Sequence, residues 1–373
     1  MMHSLLPAIA LLLPVTVVAQ ERVEFSGHSW STAGTVQVEN YLGRPALRMR
    51  GGRALLNGVE FTNGTIEFDI AVSGYRSFVG VQFRRNEDGN QSEFFYLRPH
   101  QTGRFDALQY TPIDNGISAW QLFPEYNAEV VIPADQWIHV RLVVAGSELT
   151  AFVGDASEPA MEARLATDRT SGAIALTSGV PGGTSGISAP PDLMATAYSN
   201  FRVTPNSDPV VAVEHEAPDP RLVTSWEVSA SVAGPEEPPT NLSADMVPDG
   251  NWDSTATDHS GRLNLARYRG FPEGANRGMV LARTIVTSER NQVKRLGIGF
   301  SDMGSVFLNG HLVYTANNSY LSRSGRYLGV MTVDNDIISL PLKKGRNEIV
   351  VAVIENFGGW GLVAKWEDLE GIQ

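Results

Sequence analysis

The densest concentration of groups able to do chemistry lies in residues 94–123, FFYLRPHQTGRFDALQYTPIDNGISAWQLF. It holds Tyr96, Arg98, His100, Asp106, Gln109, Tyr110, Asn115 and Trp120. Flat rings stack on the apolar faces of sugars, and amides, carboxylates and guanidinium groups bond hydroxyls, so this set suits a polyhydroxylated ligand. The same residues also read as aromatics filling a core and polar groups bracing a long loop between strands. Acid–base chemistry would fall to His100 as general base beside Asp106, with Glu93 as a further carboxyl. A histidine that braces the loop is the competing reading of His100.

Metal and nucleotide chemistry find little support. Asp249, Asn251 and Asp253 alternate as calcium ligands do, but Ser254 stands where the EF-hand glycine is required and Ser260 where its bidentate glutamate belongs. A polar turn is the better reading, and no cofactor is expected; structural calcium stays open as an alternative that no motif supports. The seven histidines never fall at metalloprotease spacing, and no glycine-rich loop ends in Lys-Ser or Lys-Thr. With no cysteine in the chain, disulfides, thiolate zinc sites and cysteine nucleophiles are excluded.

The elements that must position these groups are strands. In TIEFDIAV, residues 65–72, Ile66, Phe68 and Ile70 alternate with Thr65, Glu67 and Asp69, the pattern of a half-buried strand. In WIHVRLVV, Ile138, Val140, Leu142 and Val144 oppose His139 and Arg141, and FVGVQFR and ELTAFVG alternate likewise. Sustained helical spacing is absent beyond the N-terminus, which disfavours parallel α/β architecture with its crossover helices. An all-β, antiparallel sandwich fold is expected. Further strands are expected at 293–300, 304–308, 346–355 and 359–366, with Asn309-Gly310 forming a type I′ hairpin turn.

At 373 residues the chain exceeds the usual size of one core, so two domains are expected. Residues 205–221, PNSDPVVAVEHEAPDPR, combine proline and acids without periodicity and read as the linker. The apolar run from Leu5 to Ala19 is too short, and too broken by Pro7 and Pro14, for a spanning helix. It reads as a signal peptide over residues 1–19, giving a secreted or periplasmic protein without stable membrane insertion. A net charge of −12 with no basic run argues against nucleic acid as a partner.

GTIEFDIAV, FVGVQFR, the YLRPHQTGRFDALQY run and WIHVRLVV resemble the concanavalin A-like lectin/glucanase superfamily over residues 23–204, in its laminin-G-like and 3-keto-disaccharide hydrolase-like branches. Glu67-Phe68-Asp69 begins like the glucanase catalytic strand, but Ala71, Val72 and Ser73 follow where a second glutamate would be needed. Retaining hydrolysis needs two carboxyls about 5 Å apart, so Glu67 and Asp69 are expected to face solvent instead. Over residues 222–369, the FLNG hairpin, PLKKGRNEIVVAV and the GGWG turn resemble the galactose-binding-like jelly roll attached to many glycosidases. That resemblance implies Asn318, Tyr320, Arg323, Arg326, Glu355 and Trp360 as candidates for a second ligand site, against a structural role for the domain. The expectation is an exported carbohydrate-binding, lectin-like or accessory protein, with a secreted glycoside hydrolase and a structural surface module as alternatives.

Overall fold

The computed structural model describes residues 21–179, 195–206 and 216–373. The expected signal peptide therefore lies outside the described residues, as does most of the linker. Among the described residues the regular elements are strands and short 3₁₀ turns, and every strand pairing is antiparallel.

Four sheets form two sandwiches. In the first, one sheet runs in the order Glu21–Phe25, His28–Ala33, Gly52–Leu56, Ala173–Ser178, Val79–Arg85, Ser92–Leu97, Leu108–Asp114, Ile117–Ser118. Its partner runs Met161–Arg164, Glu148–Val153, Ile138–Ala145, Gly64–Val72, Thr196–Pro205, Arg44–Met49, Val36–Tyr41. The alternation in sequence explains the packing. Ile66, Phe68 and Ile70 from one sheet meet Val79, Val81, Phe83, Phe95 and Tyr110 from the other in a single core. Tyr198 crosses between the sheets, its hydroxyl donating to the carbonyls of Thr177 at 2.6 Å and Gly80 at 3.0 Å.

In the second sandwich one sheet runs Asp253–Ala256, Ser225–Val228, Gly278–Ser288, Gly345–Glu355, Met303–Leu308, His311–Asn317. The facing sheet is Arg262–Asn264, Gly361–Trp366, Gln292–Ser301, Asp336–Leu342. The first sheet is buried on both faces. Val351 and Val353 enter the sandwich core, while Val350, Ala352 and Ile354 pack beneath Leu242, Met246 and Trp252. Burial on both faces accounts for the unbroken apolar run IVVAVI, which does not alternate. Asn309 and Gly310, with φ of 50° and 82°, turn the hairpin whose register pairs Leu308 with His311.

Asp69 does not face solvent as its alternation implies. It is buried, and its carboxylate accepts from Arg44 at 2.6 Å and Asn200 at 2.6 Å, with His139 Nδ1 at 2.8 Å. Side chains from neighbouring strands cover the outer face of the sheet there. Glu67, half-buried beside it, has His139 Nε2 at 3.7 Å. Both carboxyls are thus committed to a structural network.

Candidate functional site

The two sandwiches meet along a polar and aromatic seam pinned by Gln121. This fully buried residue receives hydrogen bonds from Met331 N–H and Ser301 Oγ and donates through its own N–H to Gly358 O and through Nε2 to Leu328 O. Asn115 Nδ2 donates to Ala266 O at 2.8 Å and Asn264 Nδ2 to Asp114 Oδ2 at 2.9 Å. Arg262 pairs with Glu125 at 2.5 Å and lies over the Phe123 ring. Met331 and Val363 of the second half are buried in the first core. The junction is therefore packed as well as hydrogen-bonded.

Beside Gln121 the seam opens into a cleft of about 270 Å³, near the small end of the roughly 300–1,000 Å³ typical of ligand pockets. Its floor comes from the outer face of the first sheet. In Ser92–Leu97, Phe95 and Leu97 enter the core, so Phe94 and Tyr96 point the other way. Their rings stack at 4.7 Å and 24°, and Phe78 tilts against Tyr96 at 5.8 Å. The wall opposite is built by the second sandwich. Trp120 meets Tyr320 at 6.1 Å and Phe357 at 6.0 Å, both edge to face, and Phe271 and Glu355 complete the lining.

Polar groups around the floor are held in a fixed chain. Tyr96 pairs across the strands with Gln109, and its hydroxyl donates to Gln109 Oε1 at 2.5 Å. Arg98 donates to Asp106 at 2.5 Å and to Gln109 Oε1 at 3.3 Å, while Gln109 Nε2 donates to Asn127. Burial holds the Tyr96 hydroxyl above its ordinary range, so it remains a donor. A second depression of about 510 Å³ shares Phe78, Phe94, Gly116 and Ser118 with the cleft and continues across Gln82 and Arg53. The concave surface is thus longer than the cleft alone.

On the far wall Glu355 lies alongside Asp302, the residue between the strands Gln292–Ser301 and Met303–Leu308, one step beyond the registered pair Met303 and Ile354. Asp302 Oδ2 accepts the N–H groups of Phe357 at 2.8 Å and Asn356 at 3.0 Å. Glu355 Oε1 accepts from Gly359 N–H at 3.0 Å, while its Oε2 has no hydrogen-bond partner in the protein. Burial, with the Asp302 carboxylate alongside, holds the Glu355 carboxyl well above the usual carboxylate range. Burial pushes Asp302 up to about 6 despite its two backbone donors.

No family model and no curated protein matches the chain. Solved structures that resemble parts of it include the carbohydrate-binding module CBM66 from Bacillus subtilis, at 16% identity over 46% of this chain and 92% of that one, TM-score 0.34. A β-glucanase from Bacillus licheniformis is 14% identical over 48% of this chain and 92% of its own, TM-score 0.31. A family 35 carbohydrate-binding module from an environmental isolate is 16% identical over 25% and 68%, TM-score 0.18.

Of the residues singled out in the sequence, Tyr96, Arg98, Gln109, Trp120, Tyr320 and Glu355 line the cleft. Asp106 stands behind it as the partner of Arg98. Tyr110 and Glu93 face the core instead, where the Tyr110 hydroxyl donates to Glu93 at 2.5 Å and Thr167 Oγ1 to Glu93 at 2.6 Å. Burial raises Glu93 above its ordinary range. His100 makes no hydrogen bond to Asp106; its ring is set edge-on to Phe78 at 5.6 Å and neither nitrogen has a partner. Burial, then Arg98, Arg76 and Arg104, push it down to about 4. Asn115 braces the junction. Trp360 is wholly buried with Nε1 donating to Val353 O, Asn318 is buried and donates to Phe300 O, and Arg323 pairs with Asp336 at 3.0 Å. Arg326 is exposed and does not line the cleft.

Arg76, Phe78, Phe94, Phe271 and Phe357 were not singled out. For Phe94 the signal was parity with Tyr96, and for Phe78 parity with Gln82 in FVGVQFR. Phe271 and Phe357 lie in irregular segments between strands and carry no period. Asp249 accepts from Asn251 N–H within its own turn, and Asp253 pairs with Arg269. Among the described residues no cluster of metal-ligating side chains occurs, and no helix is long and apolar enough to cross a membrane.

Proposed function

We propose that the protein is an exported carbohydrate-binding protein whose ligand lies in the cleft between the sandwiches. The observation that carries this is the stacked Phe94–Tyr96 floor, bordered by the Tyr96–Gln109–Arg98–Asp106 chain. Aromatic faces match the apolar faces of pyranose rings, while an amide and a guanidinium held by their own partners offer directed bonds to hydroxyls. Continuity with the second depression suits an oligosaccharide or polysaccharide chain. Secretion or periplasmic location, a domain division at 205–221, and assignment of the halves to concanavalin A-like and galactose-binding-like sandwiches belong to the same reading.

Binding is favoured over hydrolysis because Glu355 is the one acid lining the cleft among the described residues, and Asp302 lies alongside it rather than across from it. Glycosidases need two carboxyls flanking the scissile bond. Glycan-array binding followed by a reducing-end assay on plant, algal and microbial polysaccharides tests this. Saccharide binding without new reducing ends is expected. Turnover lost in Glu355→Gln would establish the hydrolase instead, and neither binding nor turnover would leave a structural surface role.

A further inference from the structure

Two arginines border the cleft floor, and only one has its charge matched. Arg98 is paired with Asp106 at 2.5 Å. Arg76 is half-buried, with its guanidinium carbon 5.8 Å from the Phe78 ring centroid and no acidic partner among the described residues; its Nε is buried without a hydrogen bond. A partly desolvated cation without a counter-charge is costly to keep, and an anion brought by a ligand would offset that cost.

We propose that the cleft selects an acidic saccharide, one whose sugar ring bears a carboxylate, and that Arg76 reads that carboxylate. This rests on the saccharide reading above. A planar carboxylate matches the guanidinium fork with two parallel hydrogen bonds, which a neutral hydroxymethyl group cannot do. Nothing else in the lining opposes the anion. Burial, then the neighbouring Asp302, hold the Glu355 carboxyl well above the usual carboxylate range, which lessens the repulsion it offers an anion, and its Oε2 has no partner in the protein. The Asp302 charge is taken up by the N–H groups of Asn356 and Phe357. A chain of net charge −12 gives no general attraction for anions, so recognition must be local to this cation.

The test is calorimetric titration of the full chain with four probes: oligogalacturonate, its methyl ester, a sulfated galactan and a neutral β-glucan, repeated with alginate and hyaluronan oligosaccharides as further carboxylated probes. Binding to at least one carboxylated probe is expected, at least tenfold tighter than to its ester and weakened by salt. Arg76→Ala and Arg76→Gln should lose at least tenfold on that probe, and Arg76→Lys should recover part of the loss; a Tm unchanged across the series shows that the fold is intact. Equal affinity for the ester or the neutral glucan, or a carboxylated probe indifferent to Arg76→Gln, would overturn the acidic-saccharide proposal while leaving the cleft a saccharide site. Binding of the sulfated galactan alone would overturn the carboxylate assignment. Binding to no saccharide would overturn both readings. The ester arm decides without any variant.

Discussion

Gly358 and Gln121 approach so closely across the junction that a β-carbon on Gly358 would fall 2.0 Å from Gln121 Oε1. Gly358 also has φ of 110°, a conformation costly for any other residue. Gln121 donates its backbone N–H to Gly358 O at 2.9 Å, so the contact closes the seam at the edge of the cleft.

Gly358→Ala is therefore expected to destabilise the protein by on the order of 1–3 kcal/mol through clash and backbone strain. It should weaken ligand binding as well, because Gly358 and Phe357 belong to the far wall. Denaturant unfolding and ligand titration on the same preparation check this. A variant as stable as the parent would show that the junction is not held by this approach.

The carboxyl pair predicts a pH dependence with a definite sign. Asp302 and Glu355 are both held above their ordinary ranges, Asp302 at about 6. Asp114, buried beside Asn264 in the junction, is likewise pushed up to about 6. A raised folded-state pKa means that the native state binds the proton more tightly. The contribution is complete below the unfolded value of about 4 and is lost as pH rises through about 6 and above. Asp302→Asn keeps an oxygen acceptor for Phe357 and Asn356 and should flatten the decline in stability between about pH 4 and 7. A decline of undiminished slope in that variant would assign it elsewhere.

His100 acts in the opposite direction. Its pKa falls from the ordinary 6.5 to about 4, so the neutral ring is the native form. Its contribution is present above the unfolded value and lost as pH falls through about 4. His100→Leu should remove this acid-side loss, read as Tm between pH 6.5 and 4. An acid limb unchanged by the substitution would mean that the ring escapes to solvent on protonation.

The strands were legible because period-two alternation survives wherever one face is buried, as in Ile138–Ala145. Parity also sorts the rich segment: Phe95, Leu97 and Tyr110 enter the core, whereas Phe94, Tyr96 and Gln109 face outward. Reading residues 94–123 as one polar cluster mixed the two faces, which is why Tyr110 stood beside Tyr96 among the candidates. Asp69 misleads because alternation gives the face of a sheet but not what covers it. The far wall was less legible. Tyr320 and Phe357 meet Trp120, and Phe271 joins the same lining, only through packing of the two sandwiches, and no spacing in the chain encodes that meeting.

The central claim is that one saccharide site is shared by both sandwiches, and the pair Trp120 and Tyr320 tests it most directly because each comes from one side. Trp120→Ala and Tyr320→Ala should each lower affinity for the same saccharide at least tenfold, as removal of about 1.4 kcal/mol or more of contact requires. Titration calorimetry on the two variants, with Tm recorded for each, is the measurement. Loss in both, with the fold retained, is the predicted result. Parent affinity in both would contradict a ligand held between the sandwiches.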